Sequence, residues 1–154
     1  MDDHPKYFTD ATSELHRRAD GLASSPEAAN LRSLRAQIDA IASGDIAAVM
    51  QYAEPEITLE IFAPPEFPFV RTAQGLASFT SALTTNFAAV TDQRPVITDV
   101  FAEGDRVVLF GRESGAVRAT GLRYDVEFVQ RFTFRDDRLV SVQIVVAHSM
   151  PRGD

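Results

Sequence analysis

The chain has 154 residues, 15 basic and 22 acidic, for a formal net charge of -7, with 45% hydrophobic residues and no cysteine. That is the length of one domain with an adequate core, and its acidity argues against nucleic acid or an anionic membrane surface as a main partner, since both require clustered Lys and Arg. The lack of cysteine excludes thiolate nucleophiles, zinc–thiolate sites and disulfides together. Met1-Asp2-Asp3-His4-Pro5-Lys6 is acidic with no apolar stretch behind it, so no signal peptide is predicted. Aliphatic runs such as Ile144-Val145-Val146-Ala147 are far too short to span a bilayer. The expectation is a soluble, cytoplasmic single domain.

Residues 1–24 are polar and read as an arm with one short helix, residues 25–149 as the domain, and residues 150–154 as a tail. Ser25-Pro26-Glu27 places an N-cap serine, a proline at the first helical position and an early acid in order, the start of a helix. Leu31, Leu34, Ile38 and Ile41 then recur at helical spacing until Ser43-Gly44. Asp45 caps a second, short helix with Ile46, Val49, Met50 and Ala53 inward, stopped by Glu54-Pro55. Ile57, Leu59 and Ile61 alternate with Thr58 and Glu60, a half-buried strand with Glu60 outward. Residues 63–70 carry three prolines and two phenylalanines, Phe67 and Phe69, and so form an irregular loop that either plugs a core or lids a pocket. Gly75 precedes a third helix with Leu76, Phe79, Leu83 and Phe87 on one face.

From Pro95 onward the pattern is strand and turn. Strands are predicted at 96–102, 106–117 (bulged near Gly111 or Gly115), 124–134 and 139–148. Helices gathered on one face of a curved antiparallel meander make an α+β domain. Within 125–134, Val126, Phe128, Phe132 and Phe134 point one way, and Gln130 lies among them. A buried amide without partners costs about 1–3 kcal/mol, so Gln130 must bond protein, water or a ligand. The last strand offers Val142, Ile144, Val146 and His148 on one face.

Ser43-Gly44-Asp45-Ile46, the Pro-rich loop before Gly75, Glu103-Gly104-Asp105-Arg106-Val107-Val108, the stretch from Gly111 to Gly121, and Phe132-Thr133-Phe134-Arg135-Asp136-Asp137-Arg138-Leu139 come in an order that resembles the nuclear-transport-factor-2-like superfamily, in its SnoaL-like and ketosteroid-isomerase-like branch. The resemblance covers about residues 30–149. It implies a cone in which a curled antiparallel sheet wraps three helices around a central pocket, in a superfamily that holds isomerases, polyketide cyclases, epoxide hydrolases, dehydratases and non-catalytic proteins.

Carried over by position, the isomerase's tyrosine, general-base aspartate and protonated aspartate fall on Gln37, Ile61 and Gln130. Isoleucine moves no proton, so that mechanism is not supported, while Gln130 remains able to donate to a ligand carbonyl. The epoxide-hydrolase pattern finds its arginine in Arg112 but Ser114 and Ile144 at its acids, with Glu113 one residue off register and expected on the opposite face unless a bulge intervenes. Where many SnoaL-like sequences end the last strand with a carboxylate near Ala147, this one offers His148.

The candidate ligand-binding set is Gln130, Arg112, Phe128, Phe132, Ile61, Leu59, Phe67, Phe69, Tyr52, Tyr124 and Ile144, with His148 and Glu113 as weak catalytic candidates. Each has a plainer alternative: a core amide for Gln130, an ion pair with Glu113, Asp99 or Glu127 for Arg112, solvent exposure for His148, an amphipathic edge for Tyr124, and simple core packing for Phe67, Phe69 and Tyr52. The histidines His4, His16 and His148 have no zinc-ligand spacing, no phosphate-binding glycine loop or nucleophile elbow occurs, and Arg152-Gly153-Asp154 reads as chance. Neither cofactor nor metal is expected.

Val129, Val145 and Ala147 form an apolar strip on the outer sheet face and predict a homodimer. Three functions stay open: binding of a hydrophobic polyketide, terpenoid or steroid-like ligand; an isomerase, cyclase or dehydratase with a non-standard acid/base set; and an association module whose cavity is filled by Phe67 and Phe69.

Overall fold

The computed structural model describes residues 26–42 and 46–149; residues 1–25, 43–45 and 150–154, and with them the predicted arm and tail, lie outside them. The elements run α1 (Pro26–Ala42), α2 (Ile46–Gln51), β1 (Ala53–Phe62), β2 (Thr72–Gln74), α3 (Leu76–Ala88), β3 (Val90–Glu103), β4 (Arg106–Val117), β5 (Arg123–Arg135) and β6 (Arg138–His148). This is the expected order, with the short β2 added. All six strands form one curved sheet in the order β2-β1-β6-β5-β4-β3, with the helices against its inner face. The sheet is mixed rather than wholly antiparallel, because β1 lies parallel to β6.

Alternation decides what each strand buries. Ile57, Leu59 and Ile61 of β1 face inward, as do Phe132 and Phe134 of β5, and they meet Leu31 and Leu34 of α1 and Phe79 and Ala82 of α3. Val126 and Phe128 of β5 are buried on the same face, Val126 in a second cluster with Phe67, Val90, Val117 and Tyr124. The start of α1 also ties down the β3–β4 turn. Asn30 Nδ2 donates to the Gly104 carbonyl at 2.9 Å, and Glu27 Oε1 accepts the Gly104 N–H at 3.0 Å. Gly104 sits at φ 58, the left-handed region that favours glycine. The side chains of Gln37, Ile38 and Ile41 lie outside the described residues.

Two features depart from expectation. The bulges beside β4 are in β3, not at the glycines of β4: one falls between Thr91 and Arg94 and one between Ile97 and Asp99, while the β4–β5 register runs unbroken. Each bulge puts an extra residue into β3 and flips its parity, so Val90, then Gln93, Pro95 and Ile97, then Val100 face inward. Strand β3 consequently begins at Val90, six residues before the predicted start. Tyr52 lies just past α2, half-buried, and its carbonyl accepts the Leu139 N–H at 2.8 Å.

The Pro-rich loop is pinned rather than loose. Prolines leave few donors to hold it, and Arg71 supplies them from outside: its guanidinium donates to the carbonyls of Ala63 (2.7 Å), Pro64 (3.1 Å) and Phe67 (2.8 Å). Asn86 of α3 clamps the far end, accepting the Val70 N–H and donating to the Val70 carbonyl. These contacts press Phe67 into the core at 2% exposure. Arg71→Met keeps the stem and loses three charge-assisted bonds, so urea denaturation is expected to show a loss of about 1–3 kcal/mol; unchanged stability would show that the loop holds itself.

Candidate functional site

Between the inner sheet face, α3 and the pinned loop lies a cavity of about 240 Å³. Its walls are apolar: Leu59 and Ile61 from β1, Leu109 from β4, Phe128 and Phe132 from β5, Val142, Ile144 and Val146 from β6, Phe79, Leu83 and Phe87 from α3, and Phe67 and Phe69 from the loop. The two loop phenylalanines stack with centroids 5.3 Å apart and close one wall, leaving the hollow open beside them. The polar groups on the wall are few, namely Gln130, Glu113, Tyr124, Gln93 and Asn86.

Glu113 is the central group, and sheet register explains it. Leu109 pairs with Gln130, Gly111 with Phe128 and Gly115 with Tyr124, so the odd positions of β4 share the inner face of β5's even ones, and Glu113 falls inside. Arg112, expected to face the pocket, therefore faces outward. It is half-exposed there and paired with its cross-strand neighbour Glu127, Nε to Oε1 at 3.6 Å. The expectation that Glu113 points away is corrected with it, and no bulge in β4 is involved.

Burial drives the Glu113 carboxyl above its ordinary value, against the pull of two neutral donors, Tyr124 and Gln93. The Tyr124 hydroxyl donates to Glu113 Oε2 at 2.6 Å, and burial followed by the neighbouring carboxylate drives the phenol upward as well. The reach of Tyr124 depends on Gly115. A Cβ at that position would stand 2.5 Å from the Tyr124 hydroxyl, so only glycine lets the ring lie across β4 toward Glu113. Phe128 lies over Gly111 in the same way, where a Cβ would meet its ring at 2.4 Å. Gln93 reaches the wall through the first β3 bulge, beside Asp92 in the left-handed region at φ 54.

Gln130 sits two inward positions beyond Val126, the partner of Glu113, so the amide and the carboxyl are separated by four residues along the sheet, about 13 Å of strand. Among the described residues the Gln130 side chain has no hydrogen-bond partner. Leu59, Ile61, Phe67, Phe69, Phe128, Phe132, Ile144, Tyr124 and Gln130 thus share one hollow; Arg112, Tyr52 and His148 do not. His148 is 54% exposed at the end of β6 and hydrogen-bonds Glu66 of the loop. A backbone hydrogen bond, then His148, holds the Glu66 carboxyl below its ordinary value. Sequence reasoning missed Gln93, since a bulge leaves no mark in the alternation of a strand this polar.

The raised Glu113 carboxyl has a thermodynamic consequence. Its folded-state value lies above the ordinary 4.5, so the folded protein holds the proton more tightly and loses stability as pH rises through that window. Glu113→Gln keeps an acceptor for Tyr124 and removes the buried charge. Its melting temperature is expected above that of the unmodified protein at pH 8, with the gap closing as pH falls below the ordinary carboxylate range. A gap that stays constant with pH would show that Glu113 is not the titrating group.

The family model described as the SnoaL-like domain matches residues 34–142. No match is found among curated proteins. Solved structures of similar shape include a candidate SnoaL-like polyketide cyclase from Jannaschia sp. CCS1 (TM-score 0.68, 20% identity, 82% of this chain and 91% of that one). An NTF2-like protein from Burkholderia xenovorans LB400 has TM-score 0.67 and 20% identity over 77% and 89% of the two chains. TerC co-crystallised with polyporic acid has TM-score 0.61 and 20% identity over 81% and 92%. With the family model spanning most of its length and the cone built as described, the chain belongs to the SnoaL-like domain family of the NTF2-like fold.

Proposed function

We propose that this protein binds a small, predominantly apolar molecule in the cone, held by its two polar ends. The observation that carries the reading is the separation of Gln130 from the Glu113–Tyr124–Gln93 group by a wall of aliphatic and phenyl surface. A hollow of about 240 Å³ is over one and a half times the roughly 150 Å³ that accepts benzene. That size favours a bicyclic body, of terpenoid or small polyketide dimensions, over a steroid nucleus. The apolar walls would supply affinity at roughly 25 cal/mol per Å² buried, and the polar groups orientation. TerC, of similar fold, was co-crystallised with polyporic acid, and this supports the reading. If the site also moves protons, Glu113 is the group that does so: it is the carboxyl on the cavity wall, with its affinity for the proton raised by burial. Calorimetry with 2-naphthol is expected to give a Kd on the order of 10–100 μM, and Ile144→Phe, which fills the hollow beside Gln130, to abolish binding while leaving the fold intact. No heat of binding in the unmodified protein would overturn the proposal.

We further propose that two copies pair through the outer sheet face. Phe62, Val145, Val129 and Phe110 stand side by side across four strands, and Phe101, 59% exposed, packs edge-on against Phe110 at 6.0 Å. An apolar row of this length on an otherwise polar face supports association. Light scattering is expected to give twice the chain mass at micromolar concentration, and Val145→Glu to halve it; a monomeric unmodified protein would refute pairing.

A further inference from the structure

The cavity wall carries a carboxyl group with no cation beside it. Its wall contains no Lys, Arg or His among the described residues, and Glu113 is held there by a phenol and an amide, both neutral. Four cations near the cone are engaged elsewhere: Arg71 with three loop carbonyls, Arg118 with the Ala88 carbonyl, Arg112 with Glu127 on the outer face, and His148 with Glu66 at the end of β6, while Arg131 lines a different groove of the sheet. A carboxylate has about four acceptor positions. Tyr124 and Gln93 account for two, which leaves lone pairs for a bound molecule.

We propose, resting on the pocket reading above, that the ligand is a lipophilic amine whose ammonium pairs with Glu113 while its apolar body fills the hollow toward Gln130. Three features converge on this class. A buried anion is strongly destabilised without an opposite charge, and a ligand ammonium supplies that charge in a medium that screens it weakly. The wall near Glu113 is aromatic: Tyr124 meets Phe67 edge-on at 5.0 Å, Phe67 stacks on Phe69, and ring faces attract cations. The chain as a whole carries -7, which raises the local concentration of cations and repels anions. A neutral alcohol of the same shape gains the walls but not the charge pair, and a carboxylate ligand meets repulsion.

The test compares three naphthalenes of nearly equal shape by calorimetry at pH 7: 2-naphthylmethylamine, 2-naphthylmethanol and 2-naphthoate. The amine is expected to bind at least tenfold more tightly than the alcohol, and the naphthoate at least tenfold more weakly. In Glu113→Gln the amine-to-alcohol ratio is expected to fall to about one. Equal binding of amine and alcohol by the unmodified protein overturns the amine assignment and leaves the pocket reading standing. A preference that persists in Glu113→Gln assigns the cation to another group and overturns it too. If none of the three binds, the pocket reading fails and takes this inference with it. The comparison in the unmodified protein decides the matter even where the variant does not fold.

Discussion

A side chain at Gly115 would collide with the Tyr124 hydroxyl at 2.5 Å and with the Thr91 carbonyl at 2.9 Å; one at Gly111 would meet Phe128 at 2.4 Å and the Val96 carbonyl at 2.5 Å. Those four contacts describe how the hollow stays open. Two rings from β5 lie flat across β4 because β4 has no Cβ where they rest, and β3 closes in on the same two positions from the other side. Any larger residue would lift the rings off the sheet, and the room they would move into is the cavity. The glycines act here by absence of volume, since neither needs a left-handed backbone.

Gly115 also joins the cavity to its chemistry. The ring it admits donates to Glu113, and the carbonyl it admits belongs to the residue at which β3 bulges and changes parity to bring Gln93 inward. Without that parity change Gln93 would face solvent, and the carboxylate would keep one donor in place of two. Bulges beside functional sites commonly redirect a side chain in this manner.

The architecture was readable from the chain because its periods are clean. Ile57, Leu59 and Ile61 alternate without exception, Phe79, Leu83 and Phe87 keep helical spacing, and the even residues of β5 are apolar apart from Gln130. Strand β4 was not readable, and its composition explains why. Val107, Leu109 and Gly111 share one parity, Val108, Phe110 and Arg112 the other, so both faces are apolar and alternation cannot say which is inside. The inner one is set by the unbroken register with β5, which pairs Leu109 with Gln130. The resemblance at Arg112 implies the opposite parity, with the arginine inward and Glu113 out, and the register overrides it. The outer parity has its own reason for being apolar, since Phe110 belongs to the row that crosses the outside of the sheet. His148 illustrates a different limit: it shares the inner parity of β6 but sits at the strand's last position, where Glu66 engages it.

Against this background Glu113 is the residue whose presence the fold does not require. Phe, Leu or Met at that position would satisfy the cavity wall, and burial makes the carboxylate costly despite its two donors, as its raised proton affinity records. Sequences otherwise consistent from local pattern to core packing tend to break their own rules at sites of use. Here the break is one carboxyl together with the amide of Gln130, both on the wall of one hollow. On the proposed reading, the group that destabilises the empty cone is the one that gives the filled cone its selectivity, and the polarity of what fills it follows from the sign of that charge.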